Sequence, residues 1–279
     1  MAKVIAELGI NANGNIQTAK NLITMAKLAG ADLVKFQKRT VDIVYAGQLD
    51  APRNDGNPYG WKTVGEQKKG LEFSLEQYAE IDRFCSEIGI PWFYSAWDCY
   101  AFEDMQRFHC PHNKIASAMI TNHSFCAEVA ARHLHTFIST GGCTLEQIKE
   151  VVAIFLTAHT EFTLLHCVST YPCPDDQLNL NAMDTLRRVF PYAQIGYSGH
   201  EVGIYPSIMA LAMGAKWIER HITLDRSMYG SDQAASMEYN GLKSLCEVAH
   251  KADAILGDGV KRITEAEAKV MKKLRYWEA

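Results

Sequence analysis

What the sequence lacks narrows it first. No apolar run comes near the roughly eighteen residues that a membrane-spanning helix needs. The opening Met1-Ala2-Lys3-Val4-Ile5-Ala6-Glu7 has no signal-peptide apolar core and enters a strand-like run at once. Positive charge is not in excess: 28 Lys and Arg stand against 32 Asp and Glu, for a formal charge of -4 over 279 residues. That balance gives no electrostatic footprint for nucleic acid or an anionic membrane, so any anionic substrate must be held by a local basic cluster. The eight cysteines (Cys85, Cys99, Cys110, Cys126, Cys143, Cys167, Cys173 and Cys246) include no C-x-x-C pair. Without a secretory signal, reduced and mostly buried thiols are expected, and with them a cytoplasmic location. Interdomain linkers, repeats and low-complexity stretches are missing too.

What is present alternates. Short β-rich runs occur at Lys3–Leu8, Leu33–Gln37, Trp92–Ser95, Lys114–Ala116, Thr136–Ser139, Thr163–Cys167, Gln194–Tyr197 and Lys216–Glu219. Between them lie segments long enough for helices. Repeated βα units build a parallel sheet, and eight of them predict a closed (β/α)8 TIM barrel, a single domain over 1–279. Ser74-Leu75-Glu76-Gln77, Thr144-Leu145-Glu146-Gln147 and Thr264-Glu265-Ala266-Glu267 fit the capping box that starts a helix. The last of these opens a basic helical tail near 264–277, whose Tyr276 and Trp277 are expected to cover apolar surface at a barrel end or in a partner. Leu22, Met25, Ala26 and Ala29 recur at helical spacing and are read as core. One connection, near 41–70, is long and carries Pro52, Asp55-Gly56-Asn57-Pro58 and Gly60; a lid or substrate wall is expected there.

In a parallel barrel every strand ends at one face, so residues far apart in sequence meet there. Listed in order, the strand ends form a coherent set: Glu7; Lys35 and Gln37; Ser95; Lys114 and Ser117; Ser139 before Gly141-Gly142; His166, Ser169 and Tyr171; Ser198 and His200; and His221, followed by Asp232. Either lysine alone is as readily a structural ion pair. Two lysines at corresponding strand ends, facing hydroxyls and a Gly-Gly turn, supply what a phosphate or carboxylate needs. His200 and His221 offer neutral imidazoles, the commonest protein ligands for transition metals. Two of them leave open positions for water and substrate, which suits a catalytic ion rather than a closed structural site. Nitrogen and oxygen ligands fit manganese, iron, cobalt or zinc and do not separate them. Glu7 and Asp232 are available as further oxygen ligands or as acid/base groups.

With these residues assembled, the chain resembles the sialic acid synthase family, barrel enzymes that condense phosphoenolpyruvate with an N-acetylated sugar. The resemblance rests on Ile5-Ala6-Glu7-Leu8-Gly9-Ile10-Asn11, Val34-Lys35-Phe36-Gln37, Ile138-Ser139-Thr140-Gly141, Leu165-His166-Cys167, Tyr171-Pro172, Asn179-Leu180-Asn181-Ala182-Met183, Gly196-Tyr197-Ser198 and His221-Ile222-Thr223-Leu224-Asp225. It implies that Lys35, Ser95, Lys114, Ser117, Ser139, Ser169 and Ser198 hold phosphoenolpyruvate and that His200 and His221 bind a divalent metal, with manganese the expected ion. It also implies that Glu7, Gln37, Tyr171 and Asp232 surround the acceptor sugar and the reacting centre, with Glu7 ahead of Asp232 as the proton-handling group. The implied reaction is an aldol-like condensation: the metal polarises the aldehyde of the open-chain, N-acetylmannosamine-like acceptor as C3 of phosphoenolpyruvate attacks. Water then adds at C2, and phosphate leaves by C–O cleavage.

Several positions depart from the family pattern. Ala12 stands in place of a histidine, Ser95-Ala96-Trp97-Asp98 in place of Thr-Pro-Phe-Asp, and Thr170 where glutamate commonly precedes Tyr171. Gly199 replaces an aspartate and Gln233 a histidine. The family usually continues into a small antifreeze-like domain that reaches across a dimer to the acceptor. This chain stops before one, so the expected partners include a second copy in a homodimer and a separate antifreeze-like chain. Two alternatives stand beside the first reading. One is condensation with a phosphorylated sugar, ranked lower because the sequence shows no further basic cluster for a second phosphate. The other is a catalytically weak barrel acting as a binding or partner subunit.

Overall fold

A computed structural model describes residues 1–278. Eight strands, β1 Lys3–Gly9, β2 Leu33–Lys38, β3 Trp92–Ala96, β4 Asn113–Ile115, β5 Thr136–Ser139, β6 Phe162–His166, β7 Gln194–Gly199 and β8 Trp217–His221, form one sheet. Their spatial order is β3-β2-β1-β8-β7-β6-β5-β4, and every ladder is parallel. β3 and β4 pack side by side without a hydrogen-bonded ladder, so the sheet is a nearly closed (β/α)8 barrel. The eight runs read from the sequence each become one of these strands, displaced by one or two residues at some ends. The shift with a functional consequence is at β8, which extends to His221 and takes that imidazole into the strand.

The strands are nearly continuous apolar runs because both of their faces are buried. Outward-facing residues such as Ala6, Val34, Ile138 and Leu164 pack against the helix layer. Among those helices are α1 Ile16–Ala29, α2 Val41–Val44, α3 Val64–Leu71 and α4 Leu75–Ile88. Asn15 caps α1, whose Leu22, Ala26 and Ala29 are buried as the stripe predicts. The three capping boxes read from sequence are all formed, at Ser74, Thr144 and Thr264. The helix at Thr264 runs Glu265–Leu274, and a 3-10 turn follows at Tyr276–Glu278. Tyr276 and Trp277 are strongly exposed there.

The long connection after β2 has secondary structure of its own. It contains α2 and α3, and a fourth capping box, Thr63 with Glu66, starts α3. Between the two helices a bridge joins Pro52 to Thr63. All eight cysteines are free thiols, five of them buried. Among the described residues no helix is long and apolar enough to cross a membrane.

Candidate active site

Side chains alternate along a strand, so inward-facing residues come two apart. At the amino-terminal end of the barrel the inward positions are Ile5, Leu33, Phe93, Phe137, Leu165 and Trp217, which form a separate apolar cluster. Two residues further on, the same strands present Glu7, Lys35, Ser95, Ser139, Cys167 and Glu219, with Lys114 and Ser198 from β4 and β7. One more step reaches Gln37, Trp97, Ser169, His200 and His221 at the mouth. Glu7, Lys35, Gln37, Ser95, Ser117, Ser139, Ser169, Tyr171, Ser198, His200 and His221 line a single cavity of about 180 Å³. Lys114 lies beneath it, with Nζ 2.6 Å from Ser139 Oγ. Asp232 stands at the rim, 3.8 Å from His221 Nδ1. Of the fourteen strand-end residues read from the sequence, all but His166 therefore converge on one place.

The floor of this cavity is charged. Strand register sets Glu7 opposite Lys35 on one side and His221 on the other. Lys35 Nζ lies 2.6 Å from Glu7 Oε2 and 3.7 Å from Glu219. Lys114 Nζ donates to both oxygens of Glu219 at 3.1 Å, and Ser198 Oγ donates to the same carboxylate at 3.1 Å. Burial works against the Lys35 ammonium, but the charges of Glu219 and Glu7 outweigh it and raise its pKa. At Lys114 burial prevails over Glu219, and the neighbouring Lys35 adds to it, so that pKa is lowered. Burial also opposes ionisation of Glu219, yet the two ammonium groups win and hold its carboxyl well below the ordinary range. The result is a desolvated ion cluster in which Glu219 spaces two lysines beneath the hydroxyls of Ser95, Ser139 and Ser198. Ser117 closes the wall by accepting from Gly141 N at 3.0 Å.

At the mouth the two imidazole rings stand 5.7 Å apart, with the Tyr171 ring 4.1 Å from His200. His200 donates through Nδ1 to the Val168 carbonyl at 2.8 Å, which assigns its proton to that nitrogen and leaves Nε2 with a free lone pair. Burial, reinforced by repulsion from His221, pushes its pKa down to about 3, so the ring is neutral at physiological pH. His221 Nδ1 is buried without a hydrogen-bond partner. Gly9, at φ +53°, gives this ring its room: a Cβ there would lie 3.0 Å from His221 and 3.3 Å from the Gln37 amide. Glu7 is held through Oε1 by Gln37 Nε2 at 2.8 Å, and Arg39 backs Gln37 in turn. Among the described residues no group of three or more His, Cys, Asp or Glu side chains is arranged to hold a metal. Two imidazoles with free or orphaned nitrogens instead fit an open site completed by water and substrate oxygens.

Sequence reasoning missed Glu219. The signal was available, because Glu219 and His221 stand two apart on β8 and must share its inward face. His166 was noted at a strand end, but its Nε2 is spent on the Leu178 carbonyl at 2.8 Å. Two departures from the family pattern acquire physical reasons. At Gly199 a Cβ would lie 2.4 Å from the Glu201 carboxylate. That carboxylate is fully buried and paired with Arg220 Nη1 at 2.7 Å, so it fills the space an aspartate side chain at 199 would take. Gln233 is buried and structural: it accepts from Thr223 Oγ1 and donates to the Asn11 carbonyl at 3.2 Å, tying the β8 loop to the β1 loop.

Comparison with known proteins places this geometry. The NeuB family matches residues 22–261. Human N-acetylneuraminate-9-phosphate synthase is 36% identical over 272 residues, covering 97% of this chain and 76% of that protein. The N,N'-diacetyllegionaminic acid synthase of Campylobacter jejuni is 32% identical, covering 98% of this chain and 82% of its own length. Among solved structures, the N-acetylneuraminic acid synthetase of Leptospira borgpetersenii, in complex with citrate, superposes with a TM-score of 0.84 at 28% identity, over 99% of this chain and 92% of that one. The chain belongs to the NeuB family and is a synthase of that family.

Proposed function

We propose that this cavity condenses phosphoenolpyruvate with the open-chain form of an N-acylated amino sugar, giving a 2-keto-3-deoxy acid of the sialic acid type and inorganic phosphate, in a metal-dependent reaction. One observation carries the reading: a buried Lys35–Glu219–Lys114 cluster under a hydroxyl-rich wall, opening onto two imidazoles. The names of the relatives supply the product class. In this reading the phosphate and carboxylate of phosphoenolpyruvate take positions between the two ammonium groups and the hydroxyls of Ser95, Ser117, Ser139, Ser169 and Ser198. A divalent ion held by His200 and His221, manganese in this reading, supplies Lewis-acid polarisation of the acceptor carbonyl when bound.

The rest of the chemistry falls to the chain. C3 of phosphoenolpyruvate forms a bond to the aldehyde carbon, and the aldehyde oxygen takes a proton. Water adds to C2, and the C2–O bond to phosphate breaks. Glu7 moves the proton; its two oxygens are positioned by Gln37 and Lys35, and its backbone lies in register with His221. Asp232 orients the acceptor from the rim, and Tyr171 packs over the imidazoles as one wall. The lysines act as charges and not as nucleophiles, because no carbonyl of the substrate need pass through a covalent adduct with the enzyme. Free thiols throughout and phosphoenolpyruvate as a substrate suit a cytoplasmic setting.

The test is phosphate release from phosphoenolpyruvate with manganese and a panel of N-acylated amino sugars. Turnover that requires one sugar and is abolished in His200→Ala is expected. Phosphoenolpyruvate that fails to bind, or binds and releases no phosphate with any member of the panel, overturns the reading.

A further inference from the structure

On β8 the inward positions are Glu219 and His221, so Arg220 between them points out of the barrel. It stands in line with Ile218 and Ile222, which belong to the apolar layer under the helices. Arg220 is fully buried there, and so is Glu201, whose Oε1 lies 2.7 Å from Arg220 Nη1. Tyr197 donates to the other oxygen of Glu201 at 2.7 Å, and Ser207 donates to Oε1 at 3.0 Å. Apolar side chains of the same volume commonly serve stability as well as a buried ion pair does. The proposed chemistry gives the pair no part either, since neither group lines the reacting cavity.

Its place in the chain points to a task. Glu201 directly follows His200, and Arg220 directly precedes His221. From one guanidinium, Nη2 donates to the Glu201 carbonyl at 2.5 Å and the Ala235 carbonyl at 3.5 Å, and Nη1 to the Gly203 carbonyl at 2.9 Å. Glu201 and Gly203 belong to the loop after β7, and Ala235 to the loop after β8 that carries Asp232. The pair therefore ties together the two strand ends whose imidazoles stand 5.7 Å apart. Strand pairing adds a second clue. Gly199 is the cross-strand partner of Arg220, and it lies between the inward-facing Ser198 and His200. Residue 199 thus shares the outward face of Arg220. A Cβ there would lie 2.8 Å from Glu201 Oε1, the oxygen that Arg220 binds. The Gly199 backbone is not left-handed, so space and not conformation keeps a side chain out.

We propose that Arg220 and Glu201 are positioning residues that hold the His200 and His221 rings at their spacing, and that Glu201 supplies from the loop the carboxylate that an aspartate at 199 would supply from the strand. Both sources reach the same guanidinium, and they exclude each other for space. Glycine at 199 and glutamate at 201 are then one coupled choice. An aspartate added at 199 meets the Glu201 carboxylate, and Glu201 removed alone leaves Arg220 buried without a counter-charge. Exchanging both returns one carboxylate to one guanidinium. The clamp rests on the condensation reading only for its effect on catalysis; its geometry is measured without ion or substrate.

The test reads the His200 ring by NMR in the full chain carrying isotope-labelled histidine. Its Nδ1–H, bonded to the Val168 carbonyl at 2.8 Å, should give a ring N–H resonance at neutral pH that His200→Gln removes. Glu201→Ser and Gly199→Asp should each lower the melting temperature by about 5–15 °C and shift or erase that resonance. The double variant, Gly199→Asp with Glu201→Ser, should regain most of the lost stability and bring the resonance back. A folded Glu201→Ser that keeps the wild-type resonance overturns the clamp, and so does a wild type that lacks it. A double variant no more stable than the less stable single one overturns the exchange of carboxylates. Where neither single variant folds, the double variant decides: folded with its resonance restored it supports both claims, and unfolded it overturns them. Catalysis gives a second reading. In Glu201→Ser, kcat for phosphate release should fall by about 10–100-fold while the KM for phosphoenolpyruvate stays within about twofold. An unchanged kcat overturns the clamp. If the wild type releases no phosphate with any amino sugar, condensation fails by itself, and the resonance still judges the clamp.

Discussion

The floor plug of the barrel and the ion cluster above it are built by the same strands, one inward step apart. Leu33 leads to Lys35, Phe93 to Ser95, Phe137 to Ser139 and Trp217 to Glu219. Below the step, Phe137 and Trp217 rings meet at 4.7 Å and Phe93 and Phe137 at 5.5 Å, a dry aromatic stack. Above it, Lys35, Lys114, Glu7 and Glu219 are just as buried, but every charge faces an opposite one. The difference teaches what each tier is for. The lower tier needs only volume and excludes water. The upper tier pays for desolvation with mutual pairing, and the same water exclusion strengthens its field on any anion that enters.

Breaking the upper tier should have the largest effect. Glu219→Gln leaves two buried ammonium groups without their shared carboxylate, at an expected cost of about 3–5 kcal/mol in urea denaturation. Phosphate release should fall below detection. Adding Lys114→Met to that variant should restore part of the stability and none of the activity. If the single substitution leaves stability unchanged, the cluster is not the desolvated network its distances describe. The lower tier gives the contrasting case. Phe137→Ala opens an aromatic-sized hole and should also cost about 3–5 kcal/mol, while the protein that remains folded keeps its KM for phosphoenolpyruvate. A large rise in that KM would show that the floor shapes the site as well as sealing it.

A smaller effect sharpens the contrast through pH. His112 sits in the lower tier, between Phe93, Phe137 and Trp217, with its Nδ1 3.1 Å from that of His135. Burial and the neighbouring imidazole push its pKa from 6.5 down to about 4. The unfolded chain therefore binds the proton more readily than the folded one. Stability is full above pH 6.5, and about 1–3 kcal/mol of it is lost as pH falls from 6.5 to 4. In His112→Phe, which keeps an aromatic ring in the stack, that part of the slope should vanish. Denaturation midpoints at several pH values measure it, and an unchanged slope removes His112 from the account.

How much of this was legible in the sequence follows the same division. Strands and capping boxes are local signals, and Ser74, Thr144 and Thr264 cap the helices their spacing announces. The convergence of Glu7, Lys35, His200 and His221 was legible because a parallel barrel sends every strand end to one face. Glu219 was missed although period-two alternation from His221 points to it. A glutamate between an isoleucine and an arginine reads as an ordinary edge residue until its neighbours on β2 and β4 are known. The cavity that Arg53 and Lys68 line together with Tyr229 and Ser231 was out of reach, since no local pattern says that a long connection folds back beside the β8 loop. Gly199 looked like a loss, and only the position of Glu201 shows that the space is filled from two residues away.

The long connection itself is expected from sequence only as a lid or substrate wall, yet part of it is held by a signal of the same kind as the capping boxes at Ser74, Thr144 and Thr264. Thr63 Oγ1 accepts from Glu66 N at 3.1 Å, and Glu66 returns the bond to Thr63 N at 3.3 Å. The helix they start carries Gln67 and Lys68 into a cavity of about 380 Å³ lined also by Asn13, Arg53 and Tyr229. Thr63→Ala should therefore cost about 1 kcal/mol, and the cost should be local. The barrel ladders do not depend on α3, so the global melting temperature should hardly move. Hydrogen exchange at the amides of 64–71 should speed up by about fivefold, the factor that 1 kcal/mol sets. Acceptor KM should rise with it, and the KM for phosphoenolpyruvate should not. A uniform change in exchange across the strands would mean that the wall and the barrel open as one unit, and the separation drawn between mouth and floor would then stop short of this segment.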